Sequence, residues 1–317
     1  MAQFTTSNAV GEREDLADVI TRIDPDETPI FSSLKKEAGN AVHVEWQVQE
    51  LAAAVATNYQ NEGADATYDT PTATTRLGNY MQISQKDAQV SGTLDAVDKA
   101  GRDRETAYQK VLKGLELRRD IEKSLNSDTV SSSSDPRKAG ALSSWITNVS
   151  RGAGATALNA GVGKGTHAPA TDGTDRALSL SLIDAAMQAA YEDGGQPNMM
   201  VVSPAKKATF SGLSSDSNVV NTNQINMTAP KEAAFVGSVS VYLSDFGQLD
   251  VVIDRFASSD RVYLLDSDYA SICTLPNRNF LVQDLAKTGD SEKFQILCEW
   301  TLKVSAPKAH GAVYDLS

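Results

Sequence analysis

The 317-residue sequence predicts an α+β fold, and three observations carry that prediction. Apolar and polar residues alternate over 42–48 and again over 294–304, which is the two-residue period of a half-buried strand. Apolar residues recur at helical spacing along 94–125. The second half mixes short helical and strand-like segments without an internal repeat. Together these patterns favour a mixed architecture.

Composition and charge narrow the class of protein. A chain with 41% hydrophobic and 22% charged residues is expected to be ordered, as two lobes or as one domain with extensions. No run approaches the roughly 20 apolar residues of a membrane helix, and residues 1–8 do not begin a secretory signal. The net charge of −12 argues against a general nucleic-acid coat. It would keep many copies soluble and mutually repelling until specific contacts form.

The first 36 residues form an acidic segment that we interpret as an arm. Leucine, valine and isoleucine recur at helical spacing there, so the pattern predicts a short amphipathic helix over Asp15–Arg22. Asp24-Pro25 would end it, because the residue before a proline avoids the helical region. Residues 28–31 are then predicted to continue extended. A helix this short needs another surface to pack against.

A projecting hairpin is predicted next. Its strands are 42–48 and the alternating segment 77–84, and the loop 52–75 between them is small, polar and without any basic residue. The charges of the loop are all acidic: Glu62, Asp65 and Asp69. An isolated hairpin is marginally stable in water, so we expect this one to lie on another subunit.

The strongest helical pattern runs from Leu94 to Leu125 and would be roughly 45 Å long. Its apolar stripe is narrow: Val97, Gly101, Arg104, Tyr108, Val111, Leu115 and Ile121. One side is basic, through Lys110, Lys113, Arg118 and Arg119, opposed locally by Glu116 alone. A basic helix side is usually solvated, and here it is the one modest candidate for contact with an acidic partner.

The remaining pattern begins with 127–175, which is rich in Ser, Gly and Ala and is predicted as a long loop or insertion with an apolar island at 142–149. Helices are predicted at 180–191 and 205–213, strands at 199–202, 239–243, 249–253, 261–265 and 269–274, and a polar loop at 214–230. The alternation over 294–304 predicts the longest strand of the chain.

Patterns typical of catalysis or metal binding are weak. His43, His167 and His310 have no metal-ligand spacing, and there is no Gly-x-Ser-x-Gly elbow, although one sequence leaves a Ser-His-Asp arrangement open. Residues 161–166 fail the spacing of a phosphate loop. Cys273 and Cys298 lie in apolar strand-like runs and are interpreted as buried thiols. We therefore expect no catalytic site, cofactor or metal.

The order of parts and several short motifs resemble the tailed-bacteriophage major capsid (major head) protein family, whose fold is shared with herpesvirus shells. The resemblance covers nearly the whole chain. It rests on these segments: 13–20 (REDLADVI), 26–29 (DETP), 43–47 (HVEWQ), 61–66 (NEGADA), 76–80 (RLGNY), 90–93 (VSGT), 96–102 (AVDKAGR), 284–290 (DLAKTGD) and 309–311 (AHG).

The resemblance implies a particular division of the chain: N-terminal arm 1–38, E-loop β-hairpin 39–92, P-domain with a long spine helix 93–175, A-domain 176–275, and a C-terminal strand 276–317 that returns to the P-domain. It also implies self-assembly through pentamers and hexamers into the icosahedral head shell, in the host bacterial cytoplasm. DNA would be enclosed without sequence-specific binding. Scaffold, portal and decoration proteins are the further partners that it implies, with no membrane and no cofactor.

Two rival functions remain at this stage: another virion protein, such as a tail-tube or decoration protein, and a hydrolase with a Ser-His-Asp site. For the capsid function we expect an inter-subunit contact. The acidic loop residues Glu62, Asp65 and Asp69 would dock on Lys110, Lys113, Arg118 and Arg119 of an adjacent subunit. The alternative is a solvated loop tip, with apolar contacts responsible for docking.

Overall fold

A computed structural model describes residues 24–66, 68–99, 101–155, 171–213 and 240–317. Its helices are α1 Pro29–Ser33, α2 Gly92–Ala96, α3 Glu105–Leu125, α4 Leu180–Glu192 and α5 Pro204–Leu213. Its strands are β1 Lys35–Ala38, β2 His43–Val48, β3 Thr75–Tyr80, β4 Gln82–Ser91, β5 Asn148–Ser150, β6 Met199–Val202, β7 Val241–Ser244, β8 Gly247–Ile253, β9 Val262–Leu265, β10 Ala270–Thr274, β11 Leu281–Leu285, β12 Ser291–Val304 and β13 Gly311–Val313. The predicted helix 15–22 and the loops 161–166 and 214–230 lie outside the described residues.

A five-stranded sheet is built around β12, the strand that the alternation over 294–304 predicts. Strands β10 and β11 pair with different parts of one edge of β12, and β1 pairs with β10. Strand β4 pairs along the opposite edge of β12. Alternate side chains of β12 point to one buried face: Phe294, Ile296, Cys298, Trp300, Leu302 and Val304. The helix α3 packs on this side and contacts both β12 and β4. The strand prediction is confirmed, with β12 beginning earlier, at Ser291.

A second sheet has six strands in the order β5-β13-β9-β6-β8-β7. Side chains from α4 and α5, such as Ile183, Met187 and Phe210, form an apolar cluster on one of its faces. Side chains of the other face, such as Val201 and Tyr263, join the main core with β12. Helix α4 stops before Gly194, whose φ of 89° is the left-handed conformation that favours glycine. The predicted helices and the β7–β8 hairpin are confirmed.

The prediction of one continuous helix over Leu94–Leu125 is wrong. The helix α2 ends at Ala96, and Gly101 adopts a φ of 76° before α3 begins. The Asp95 carboxylate accepts the Thr106 N–H at 3.1 Å, which satisfies a donor that the first turn of α3 leaves free. With 21 residues, α3 is roughly 30 Å long.

The predicted apolar stripe of this helix is also wrong along most of its length. Val97 is 55% and Val111 is 63% exposed. The apolar side chains that α3 buries completely are Leu117, Ile121 and Leu125, which are spaced by four residues. Only the C-terminal half of α3 is covered by the core, so the periodicity of the N-terminal half predicts a packed face that the fold does not provide.

Residues 28–31 were predicted to be extended, and this is wrong because α1 occupies Pro29–Ser33. Proline is compatible with the first helical position, since its missing N–H has no partner there. Ile30 and Phe31 are buried against the main core. A five-residue helix has too few turns to show a period, and its stability comes from this packing.

The prediction of a loop or insertion over 127–175 is wrong for its middle part. Residues 139–146 are buried, and β5 pairs in parallel with β13. Trp145 is almost completely buried and contacts Trp46 of β2 with 5.2 Å between ring centroids. Small Ser, Gly and Ala residues are typical of loops, and here they allow close packing.

The hairpin prediction is confirmed for β2 and β3, which pair antiparallel from His43↔Tyr80 to Val48↔Thr75. The predicted second strand, 77–84, divides at Met81. Residues before this point pair with β2, and residues from Gln82 onward pair with β12 of the five-stranded sheet. Alternation continues through both strands, so the pattern does not reveal the change of partner.

Candidate inter-subunit interface

The loop between β2 and β3 is the most exposed segment that the structure describes at length. Every described residue from 49 to 74 is exposed. At the base, the Gln49 side-chain amide donates to the Thr72 carbonyl at 3.3 Å. At the tip, Ala64 N–H donates to the Asn61 carbonyl, and Gly63 takes a φ of 80° in that turn. The hairpin therefore rests on the body by its strands, while its loop extends into solvent.

Large apolar side chains lie along this exposed loop. Leu51 is 97% and Tyr68 is 94% exposed, and Val55 and Tyr59 are also exposed. Large exposed apolar groups are typical of surfaces that contact another molecule when they form a contiguous patch. The contact residues predicted from the sequence are the acidic residues of the loop and do not include these four. The signal available was the presence of two tyrosines and a leucine in a segment that is otherwise small and polar.

The predicted acidic residues Glu62, Asp65 and Asp69 all lie on this exposed loop. Among the residues that the structure describes, none of the three takes part in an ion pair. Glu50, at the base of the loop, does form an ion pair, with Lys308 at 2.8 Å. The acidic tip is thus free of intramolecular cations across the described part of the chain.

The predicted basic residues of α3 have different surroundings. Lys110 pairs with Asp284 of β11 at 2.8 Å, and Lys113 pairs with Glu116 at 2.8 Å. The Arg118 guanidinium lies 5.8 Å from the Phe31 ring centroid. The Arg119 guanidinium lies 5.7 Å from the ring centroid of Phe256. Glu116 is therefore not the only local counter-charge, because Asp284 of β11 also opposes the group.

These four cations do not form one side of the helix. An α-helix turns by about 100° per residue, so Arg119 lies roughly opposite Lys110, and Lys113 and Arg118 lie to either side. The two arginines have no carboxylate partner among the described residues, whereas both lysines do. Among the described residues, no ion pair within one subunit joins any of the four to the acidic tip of the loop.

Two buried charged residues of the body, Glu299 and Arg261, form ion pairs within the subunit. Glu299 of β12 accepts from Arg137 at 2.9 Å and from Arg278 at 2.7 Å. Arg261 pairs with Asp128 and Asp260. Within the described ranges, no cluster of three or more His, Cys, Asp or Glu side chains could hold a metal ion. No described helix is long and apolar enough to cross a membrane.

Comparison with protein families resolves the class of protein. The family model described as "SU10 major capsid protein" matches residues 2–317, nearly the whole chain. The chain belongs to the SU10 major capsid protein family. Its members are structural proteins of the virion, and this chain is a subunit of the icosahedral head shell of a tailed phage. The resemblance stated from short motifs is confirmed.

Similar proteins agree with this assignment. The major capsid protein of Escherichia phage Phieco32 is 27% identical, over 98% of this chain and 96% of that protein. Among solved structures, the cyanophage A-1(L) capsid subunit matches with a TM-score of 0.66 at 16% identity, covering 98% of both chains. The capsid protein of a native GTA particle matches with a TM-score of 0.61 at 12% identity, covering 96% of both chains. These likenesses confirm the predicted capsid fold.

Proposed function

We propose that the capsid subunit assembles through pentamers and hexamers, and that the loop 49–74 of each subunit lies on its neighbour. The observation that carries this proposal is the complete exposure of the loop together with its apolar residues Leu51, Val55, Tyr59 and Tyr68. Exposed apolar groups contribute nothing to the folding of one subunit. Their burial between subunits would contribute roughly 25 cal/mol per Å² of apolar surface removed from water.

The geometry of the hairpin supports this role. The strands β2 and β3 are held on the body by Trp46, which packs against Trp145. The loop therefore starts from a fixed base and can reach a neighbouring subunit without disturbing the core. A two-stranded hairpin is marginally stable by itself, so a second surface under the loop would stabilise it.

The partner surface for the loop tip is the second part of the proposal. We propose that Glu62, Asp65 and Asp69 dock on the cationic residues of α3 in an adjacent subunit. Arg118 and Arg119 are the more accessible pair for this contact, because neither has a carboxylate partner among the described residues. Lys110 and Lys113 would have to exchange Asp284 and Glu116 for the incoming carboxylates.

Imaging of the purified subunit tests the assembly proposal. A variant in which a short Gly-Ser turn replaces residues 52–73 keeps β2, β3 and the whole body. We expect this variant to fold, with an unchanged circular dichroism spectrum, and to form no closed shells under conditions in which the parent chain does. Replacement of the same residues by a Gly-Ser linker of equal length is the matched control for loop length. This control should also form no closed shells.

Other outcomes of this experiment separate the rival functions. Tubes or decoration of pre-formed shells would favour another virion role, and normal shells from the shortened variant would contradict the role of the loop. Labelling by a serine-directed probe would favour a hydrolase, since the capsid role requires no catalytic residue. The proposal further includes assembly of the shell in the host bacterial cytoplasm and enclosure of DNA without sequence-specific binding, with scaffold, portal and decoration proteins as further partners.

A further inference from the structure

Glu122 is a fully buried carboxylate near the C-terminal end of α3. Its Oε1 accepts the Ile30 N–H at 2.7 Å, and its Oε2 accepts the Phe31 N–H at 2.8 Å. These two N–H groups belong to the first turn of α1, where backbone donors have no partner within a helix. One side chain of the long helix thus holds the start of α1, although more than ninety residues separate them in the chain.

The groups around Glu122 come from four elements. Lys36 of β1 donates to the Phe31 carbonyl, and its ammonium lies 3.8 Å from the centroid of the Phe31 ring. Asp254, which follows β8, accepts from Asn126 at 2.5 Å and from the Phe256 N–H at 2.8 Å. Arg118 of α3 lies over the Phe31 ring, and the Cys298 thiol of β12 lies near Lys36. No described lysine or arginine forms an ion pair with Glu122, unlike Glu299 with its two arginines.

We propose that Glu122 is an ionisable latch for α1: the protonated side chain keeps the segment 28–34 firmly docked on α3, and ionisation loosens it. The protonated carboxyl still accepts an N–H through its carbonyl oxygen and carries no buried charge. The ionised form accepts two strong bonds but keeps a charge away from water without an ion-pair partner among the described residues. The latch acts on the point from which the N-terminal segment extends, and it does not depend on the role proposed for the loop.

The direction of the effect follows from linkage. The pKa of Glu122 is raised from 4.5 to about 7: burial is the main cause and the nearby Asp254 adds to it, against the lowering effects of the two N–H bonds and of the Lys36 ammonium. Glu122 binds a proton more tightly when α1 is docked than when it is undocked. Docking is therefore most stable below pH 4.5 and weakens as the pH rises through 7. A shift of this size limits the pH-driven increase of the opening equilibrium to about 300-fold. Burial lowers the pKa of Lys36 to about 8, so its charge is largely constant between pH 5.5 and 7.

Hydrogen exchange of the full-length chain, followed by mass spectrometry on peptides that cover 28–36, tests the latch. After correction for the intrinsic pH dependence of exchange, we expect the opening equilibrium to increase at least tenfold from pH 5.5 to 7.5. Peptides within β12 serve as the internal reference and should not share this profile. In the variant Glu122→Gln the side chain has no charge at any pH, and the opening of 28–36 should become independent of pH.

A second variant, Lys36→Met, tests the proposal if Glu122→Gln does not fold. The methionine side chain still covers the Phe31 ring. Because the Lys36 cation is absent, the pKa of Glu122 should rise, and the midpoint of the opening profile should move to higher pH. A flat profile in the parent chain overturns the proposal. So does an unchanged profile in Glu122→Gln, or an unmoved midpoint in Lys36→Met.

Discussion

The body of the subunit and the loop 49–74 use apolar side chains in opposite ways. In the body, Trp300 and Trp145 are almost completely buried, and each contacts side chains from more than one element of the main core. In the loop, Leu51 and Tyr68 are almost completely exposed. The first group stabilises one subunit, and the second stabilises a contact between subunits under the proposed function. Substitutions in the two regions should therefore affect different measurements.

The largest effect is expected in the body. The Trp300 side chain lies in the centre of β12, and its indole N–H donates to the Ser84 hydroxyl of β4 at 3.0 Å. Trp300→Ala should lower the free energy of unfolding by about 3–5 kcal/mol, because it leaves a cavity between sheet and helix. Urea denaturation of the unassembled subunit measures this loss. A decrease below about 1 kcal/mol would show that the sheet is less tightly packed than the structure indicates.

Acid should destabilise the body through His310, which lies in the connection between the two sheets. Its Nδ1 accepts the Asp266 N–H at 3.0 Å, and burial lowers the pKa of His310 from 6.5 to about 4. The unfolded chain therefore binds more protons in this range, and the contribution of His310 is complete above pH 6.5 and is lost as the pH falls to 4. The loss should reach about 3 kcal/mol.

The variant His310→Asn isolates this contribution, since Glu122 titrates with the opposite sign between pH 4.5 and 7. We expect the difference in urea midpoint between the parent chain and His310→Asn to shrink as the pH falls from 7 to 4. A difference that stays constant over this range would mean that His310 does not titrate as the buried position requires.

The loop tyrosines should show the reverse behaviour. Tyr59→Ser with Tyr68→Ser should change the free energy of unfolding of the subunit by no more than about 0.5 kcal/mol, because both side chains are exposed. Shell formation, followed by light scattering, should require a higher subunit concentration. Tyr191→Ser, an exposed tyrosine on α4, is the matched control. If the double variant formed shells at the same subunit concentration as the parent chain, the loop tyrosines would not be part of the interface.

The smallest effect is expected from the acidic tip of the loop. Exposed ion pairs contribute about 0–1 kcal/mol each, so reversal of Glu62 and Asp65 to lysine should leave the subunit stable and slow its assembly at low salt. The salt dependence of the assembly rate should also weaken. Arg118→Glu with Arg119→Glu in the same chain should restore part of the rate. Unchanged assembly at low salt would favour apolar docking over docking by charge.

The residue patterns predicted the fold best where most large apolar side chains of an element lie on one face. The alternation over 294–304 predicted β12, and the period over 180–191 predicted α4, because the apolar residues of each pattern pack in one core cluster. In β12 the polar residues Glu299 and Thr301 on the other face are buried as well. Predictions were wrong where a segment has two partners or only part of a face is covered. Thus β4 continues from β3 with the same period but pairs with β12, and α3 leaves Val111 exposed.

The candidate interface was predicted in part. The loop and its acidic residues could be located because a long segment without basic residues between two alternating strands is visible in the sequence. The prediction that Lys110, Lys113, Arg118 and Arg119 share one side of the helix was wrong, and their spacing at about 100° per residue is enough to separate them. The Lys110–Asp284 ion pair could not be predicted, because Asp284 of β11 comes from a distant part of the chain. Contacts between distant segments leave no local pattern.

The sequence by itself determined the α+β class, the main strands, the exposed acidic loop and the capsid family, since periodicity and short motifs are local properties of the chain. Only the tertiary structure decided which side chains are buried on α3, that residues 139–146 belong to the core, and that Glu122 holds α1. Burial depends on which elements pack together, and a carboxylate such as Glu122 is expected at the surface until its partners are known.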